Sequence, residues 1–155
     1  MPADPKRLLI IDRVVVVLRA IKAGDLFFYT PYEVVKGFIS SPTGFPIYMV
    51  LSETGGEMTM NLDQQYEETF YVSVRGIVQS NDDVVTPLER AIRDIRKAIN
   101  DDFKPEAGAG SLITLASEMR IDGPPEIDYG FEGTHFFGYF TQRVRLGLYG
   151  EIGEI

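Results

Sequence analysis

The sequence predicts an α+β fold: a mainly antiparallel β-sheet with two α-helices packed on one face. The first observation is an alternation typical of a strand with one buried face, in which Phe70, Val72 and Val74 alternate with Thr69, Tyr71, Ser73 and Arg75. The second is a helical stripe that follows it at spacings of four, three, four and four: Leu88, Ile92, Ile95, Ile99 and Phe103. The third is that short turns join the other predicted strands, which favours antiparallel neighbours.

The composition limits the classes of function. The chain has 155 residues, enough for one domain spanning residues 1–155, and its 45% of hydrophobic residues excludes a disordered chain. The absence of Cys excludes disulfides, thiolate catalysis and Cys-based zinc sites, and a single His excludes His-rich metal sites. The net charge of −8, from 23 acidic and 15 basic residues, argues against a basic face that grips nucleic acid. An acidic surface that DNA passes without binding is compatible with this charge.

The apolar run from Leu8 to Ile21 raises the question of an export signal or a membrane span. Asp12, Arg13 and Arg19 interrupt the run, so it fits neither. We therefore expect a protein that is kept in a cytoplasm and has no membrane partner.

This run predicts a first helix of about five turns between Asp4-Pro5 and Gly24. Four consecutive valines make a strand the alternative, but the charged residues cluster away from one apolar face and favour the helix. That face consists of Ile10, Val14, Val17, Leu18 and Ile21. Leu9 and Val16 fall on the polar side, where they are either isolated surface residues or contacts to a neighbouring subunit.

Three strands and a turn are predicted next along the chain: strands at 27–29 and 33–39, a Pro/Gly turn at 40–45, and a strand at 46–52. The last of these is almost continuously apolar, which indicates burial on both faces. Residues 53–65 then form a polar, Gly-containing connection in which Met58, Met60 and Leu62 alternate with polar residues. The alternation favours a long hairpin arm that projects from the domain over an ordinary surface loop.

The second helix has a predicted start signal, with Thr86 as N-cap, Pro87 at the first helical position and Glu89 closing a capping box. Its remaining polar residues are expected to face solvent or a partner: Arg90, Arg93, Asp94, Arg96 and Lys97. After it come a predicted flexible loop at 104–111, a strand at 112–121, a loop at 122–133 and a long final strand at 134–149.

The search for catalytic and metal-binding patterns finds no constellation. Residues 108–111 lack the Lys and the following helix of a phosphate-binding loop. His135 has no Ser or Asp partner that spacing identifies, so a structural role is favoured. Asp82-Asp83 precedes a helix start, where the helix dipole stabilises negative charge. Asp101-Asp102 ends the same helix, where the dipole disfavours negative charge, so we expect these two acids to be solvated or to meet a basic group on a partner. We expect no cofactor, no metal and no catalytic residue.

The order and lengths of the predicted elements resemble the tail terminator (tail completion) proteins of long-tailed bacteriophages. This is a likeness of pattern without a signature motif, and it spans most of the chain. Its pieces are the helix at 8–23, the strands at 34–38, 46–51 and 70–78, the helix at 87–102 and the strand at 140–149. The resemblance implies a structural, non-catalytic subunit of a hexameric ring that caps the tail tube and joins it to the head connector or neck protein.

Specific residues receive expectations from this resemblance. A ring needs a heterologous subunit interface, for which we name Leu9, Val16, Met58, Met60 and Leu62. DNA would pass through a lumen without specific binding, and the candidate lumen acids are Glu57, Asp63, Glu67 and Glu68. The implied location is the tail or neck of the virion, with the host cytoplasm as the site of assembly.

Two alternative functions remain open. One is another neck or tail tube protein built on a related sheet. The other is a small cytoplasmic enzyme whose site combines His135 and loop carboxylates at a subunit interface.

Overall fold

The computed structural model describes residues 2–53, 55–61 and 63–151. The described helices are α1 (Lys6–Arg19), α2 (Val85–Asp102) and α3 (Leu112–Leu115), with a 3₁₀ turn at Pro105–Ala107. The described strands are β1 (Glu33–Lys36), β2 (Ile47–Glu53), β3 (Met58–Met60), β4 (Tyr66–Ser80), β5 (Glu118–Ile121), β6 (Glu126–Glu132) and β7 (His135–Gly150). They form one mixed sheet, which confirms the α+β class.

The sheet is organised around the two long strands β4 and β7. They pair antiparallel from Tyr66 opposite Gly150 to Ser80 opposite Phe136. The strand order is β1-β2-β4-β7-β5, with β3 pairing with β4 and β6 with β7. Only the pairing of β1 with β2 is parallel among the described strands, so the sheet is mainly antiparallel, as predicted.

The core lies between this sheet and the helices. Since side chains alternate along a strand, every second side chain of β4 and β7 points toward α1 and α2. The buried sheet residues include Phe70, Val72, Val74, Phe140, Val144 and Leu146, and the buried helix residues include Ile10, Val14, Leu18, Leu88, Ile92, Ile95 and Ile99. The predicted stripe of the second helix is therefore confirmed, apart from its last residue, Phe103, which is only partly buried.

The first helix is confirmed and the alternative strand is wrong, but the helix has 14 residues, about one turn fewer than expected. Val15 is buried as well, because α1 packs against β1 and β2 as well as against α2. The strand predicted at 33–39 also ends early, at Lys36. Gly37 follows with a φ of +103°, a conformation in which a strand cannot continue.

The second helix begins differently from the prediction. It starts at Val85, and the carboxylate of Asp83 accepts hydrogen bonds from the backbone N–H groups of Val85 and Thr86, at 3.0 and 3.1 Å. The Thr86 hydroxyl donates to the same carboxylate instead of capping the helix. The predicted capping box is therefore wrong: Val84 occupies the N-cap position, and the Asp83 carboxylate accepts the N–H groups of the first turn.

Residues 27–29 form no strand. The N–H of Phe28 lies 3.0 Å from both carboxylate oxygens of Asp94, and the N–H of Tyr29 donates to the same carboxylate. Asp94 is fully buried, which contradicts its predicted position facing solvent. A carboxylate satisfied by backbone donors replaces the neighbouring strand that these N–H groups would otherwise need.

Three predictions for the second half of the chain are corrected. Residues 104–111 contain the 3₁₀ turn and end at buried Ser111, and residues 112–121 begin with a helical turn before β5. The predicted loop at 122–133 contains the seven-residue strand β6. β6 returns to β7 through a two-residue turn, in which Gly133 has a φ of +59°.

The sheet face away from the helices is covered only in part. Phe45 packs edge-on against Phe137 with ring centroids 5.7 Å apart, and the guanidinium of Arg75 lies over the Phe38 ring. The segment at 37–46 thus covers one end of this face, and four consecutive β2 residues, Ile47–Val50, are buried as predicted. Elsewhere on this face, Arg143 pairs with Glu53 at 2.9 Å.

Candidate interaction surfaces

Leu9 and Val16, the candidate interface residues of α1, lie two turns apart on the same side of the helix. Their exposed fractions are 38% and 52%. Val16 lines a cleft of about 450 Å³ between α1 and the C-terminal end of α2. Its apolar lining also includes Val17, Ala20, Ile21, Phe27 and Ala98. The structure thus places Val16 in an apolar recess and leaves Leu9 outside it.

An ion pair lies at one side of this cleft. The Arg13 guanidinium donates to both carboxylate oxygens of Asp102, at 2.9 and 2.6 Å, and this hydrogen bonding raises the pKa of Arg13. Asp102 also accepts the N–H of Leu112, at 2.9 Å, and is only 8% exposed. The prediction of a solvated helix end is therefore wrong for Asp102, whose basic partner lies in the same chain. Asp101 is partly exposed and pairs with Lys97 and Lys104.

Met58 and Met60 lie on β3, which pairs with β4 beyond the end of β2. Their exposed fractions are 48% and 60%, and the register places both side chains on the helix side of the sheet. We call these two residues the tip surface. The structure shows a short hairpin at this position and does not confirm a projecting arm. Leu62 lies outside the described residues.

The four candidate lumen acids do not share one surface. Glu67 is exposed and lies on the sheet face away from the helices, Glu57 is exposed just before β3, and Asp63 is exposed in the turn that follows β3. Glu68 lies on the helix side, where its carboxylate is 3.3 Å from the guanidinium of Arg7 and its side chain is only 12% exposed. Glu68 therefore has an internal partner, and the lumen role of the other three stays a prediction.

β6 carries exposed apolar residues that the sequence analysis missed. Ile127, Tyr129 and Phe131 are 40%, 50% and 80% exposed and point to the helix side of the sheet. Glu126, Asp128 and Glu132 are exposed on the opposite side of the strand. We call these six residues the β6 edge. Their alternation of apolar and acidic residues, interrupted only by Gly130, was the available signal, and the neighbouring Gly-Pro-Pro and acids obscured it.

A second mixed surface lies where the loop before β1 meets α2. Leu26 and Phe28 are 62% and 47% exposed, and the guanidiniums of Arg90 and Arg93 lie 4.9 and 5.5 Å from the centre of the Phe28 ring. Arg93 also donates to the carbonyl of Leu26. We call these four residues the loop–helix patch. A cation over an aromatic face is attracted to the ring, so these contacts hold the patch in place while it stays exposed.

His135, the residue on which the enzyme alternative rests, is exposed at the start of β7. Its Nδ1 lies 2.8 Å from the side-chain oxygen of Asn81. Among the residues described, no group of three or more His, Asp or Glu side chains is arranged to hold a metal ion. None of the described helices is both long enough and apolar enough to cross a membrane.

No protein-family model matches this sequence, and no curated protein is significantly similar to it.

Proposed function

We propose that the chain is a structural subunit of a long-tailed bacteriophage, which forms a ring that closes the tail tube and joins it to the head connector. The observation that supports this proposal is the position of two exposed apolar surfaces. The tip surface lies beside Tyr66 and Glu68 on β4, whereas the β6 edge lies along the part of β7 that pairs with Arg75–Ser80, at the other end of the same strand pair.

The separation of these surfaces suits a joining role. The middle of the β6 edge, Tyr129, lies level with Val78, twelve residue steps along β4 from Tyr66. A strand rises about 3.3 Å per residue, so the two surfaces are roughly 40 Å apart along the strands. Exposed apolar clusters of this kind mark contact sites on soluble proteins. A subunit with two such separate clusters can contact the tail tube and a neighbouring copy at the same time, as a subunit of a capping ring must.

The element order provides the second support, because it resembles that of tail terminator proteins, and the α+β fold agrees with this resemblance. The exposed acids Glu57, Asp63 and Glu67 lie at the tip end of the sheet and are the candidates for a lumen surface that repels DNA. The virion neck is the location that follows from this proposal.

The test combines purified protein with isolated tail tubes and measures mass by light scattering. We expect a ring, either in solution or on the tubes, and tubes with one end capped in electron micrographs. A monomer or dimer that does not bind the tubes would refute the proposal. Binding along the tube or to connectors alone would favour another neck or tube role.

A double variant, Met58→Thr with Met60→Thr, tests the tip surface in the same assay. Thr keeps the strand propensity of β3 but removes most of the exposed apolar area. We expect the variant to fold normally and to cap at most a tenth of the tubes that the native protein caps. Thr59→Ser, on the other side of the same strand, is the matched control and should cap normally.

A further inference from the structure

We propose that neighbouring subunits of the ring meet head to tail, with the β6 edge of one copy against the loop–helix patch of the next. This inference rests on the proposed ring and adds the identity of the two surfaces that close it. Its partner is a second copy of this chain.

The β6 edge is an open sheet edge. The N–H of Tyr129 donates to the carboxylate of Asp128 at 2.8 Å, which shows that this N–H points away from β7. Because backbone groups alternate in direction along an antiparallel strand, Ile127 and Phe131 also direct their N–H and C=O groups outward. Proteins usually protect such edges, and one that carries large exposed apolar side chains is suited to a partner.

The opposite edge of the sheet, strand β1, is less accessible to a pairing strand. β1 has only four residues, and the carbonyl of Val34 accepts hydrogen bonds from two nitrogens of Arg19, at 3.1 and 3.0 Å. A second copy that paired its strand with β1 would have to displace this guanidinium. The two edges are therefore unequal, and strand pairing between β1 and β6 of different copies is disfavoured.

Charge decides which surface faces the β6 edge. Two copies that met symmetrically through β6 would bring the exposed Glu126, Asp128 and Glu132 of each copy close to those of the other, and like charges at an interface are costly. The loop–helix patch offers the complement, because Arg90 and Arg93 surround an exposed aromatic ring. Apolar side chains can then meet apolar side chains while acids meet guanidiniums.

The two surfaces lie at different places on the subunit. Asp94 of α2 holds the loop at Phe28 and Tyr29, and Tyr29 packs against the core beside Tyr48 of β2. On the other side of α2, Arg96 reaches Gln142 of β7 at 2.9 Å, and β6 lies beyond β7. The patch and the β6 edge thus lie on the two flanks of α2 and do not overlap, so each can contact a different neighbouring copy, as a heterologous interface requires.

Charge reversal on each surface tests this arrangement. Asp128→Lys and Arg90→Glu change exposed side chains, so both variants should fold with native circular dichroism and melting temperature. Each alone should dissociate the ring, with a Kd at least about tenfold higher than that of the native protein. The two variants mixed 1:1 should restore it, because every contact in an alternating ring is again between opposite charges. Glu106→Lys and Lys22→Glu are matched reversals at exposed positions outside both surfaces and should leave the ring intact.

The outcomes separate this inference from the proposed function. If the native protein forms a ring that both reversals leave intact, or that mixing does not restore, the head-to-tail arrangement is wrong and the ring stands. If the native ring forms and responds as expected but does not bind tail tubes, the interface stands and the capping function is wrong. If the native protein stays monomeric with and without tubes, both are wrong.

Discussion

Replacing Asp94 by Ala should destabilise the whole domain, although the residue lies on a helix among exposed charges. Its carboxylate is fully buried and accepts hydrogen bonds from the N–H groups of Phe28 and Tyr29, each at 3.0 Å. Burial and, to a lesser degree, this nearby carboxylate raise the pKa of Tyr48. The Asp94 side chain therefore lies in a region from which water is largely excluded, where solvent can compensate only in part for its loss.

The magnitude follows from the two N–H groups left without an acceptor. A buried donor without a partner costs about 1–3 kcal/mol, and since both groups are only partly buried, we expect a total of about 2–4 kcal/mol. For a domain of this size, this corresponds to a melting temperature lower by roughly 6–12 °C. Asp94→Asn keeps one acceptor oxygen and should cost about half as much.

The assay is urea unfolding followed by far-UV circular dichroism, because the chain has no Trp. Asp101→Ala is the matched control on the same helix, since Asp101 is partly exposed and its pairs with Lys97 and Lys104 contribute little. If Asp94→Ala costs no more than this control, the carboxylate does not hold the loop and the reasoning fails. Loss of ring formation by a folded Asp94→Ala variant would link this loop to the interface as well.

Two further predictions concern the helix start and the sheet. Hydrogen bonds from the Thr86 hydroxyl and N–H hold the pKa of Asp83 below its usual range. The ionised Asp83 carboxylate therefore stabilises the folded state fully above the unfolded-state pKa of about 4. This stabilisation is lost as the pH falls through the lower pKa of the folded state. The urea midpoint of the native protein should exceed that of Asp83→Ala at pH 7, and the difference should shrink as the pH falls below about 4; a constant difference would contradict this. Gly76→Ala should lower the free energy of unfolding by about 1–3 kcal/mol, because the added methyl group overlaps the Phe140 ring. In the double variant with Phe140→Leu, part of this loss should be relieved, and the same unfolding assay measures it.

The sequence predicted those elements in which one local pattern dominates. The alternation in β4 and the stripe in α2 each match one geometric period over several turns or residue pairs, and burial of one face is the physical consequence. The paired helices on one face of an antiparallel sheet followed from the same reasoning. The exposed positions of Leu9, Val16, Met58 and Met60 were also predictable, because each lies on the polar side of its helix or in a polar segment.

Contacts between distant parts of the chain decided the rest. Asp94 and Asp102 look like surface residues in the sequence. Asp94 is nevertheless buried, with hydrogen bonds from backbone N–H groups 65 and 66 residues away. Asp102 is buried with hydrogen bonds from Arg13, which is 89 residues away. β6 looks like a loop because its Gly-Pro-Pro flank and acids are typical of loops, and only the ladder offered by β7 makes it a strand. The sequence by itself therefore determined the fold class and the main core. The tertiary structure decided which charged residues are buried and where exposed apolar surface remains, since both depend on which distant backbone groups meet.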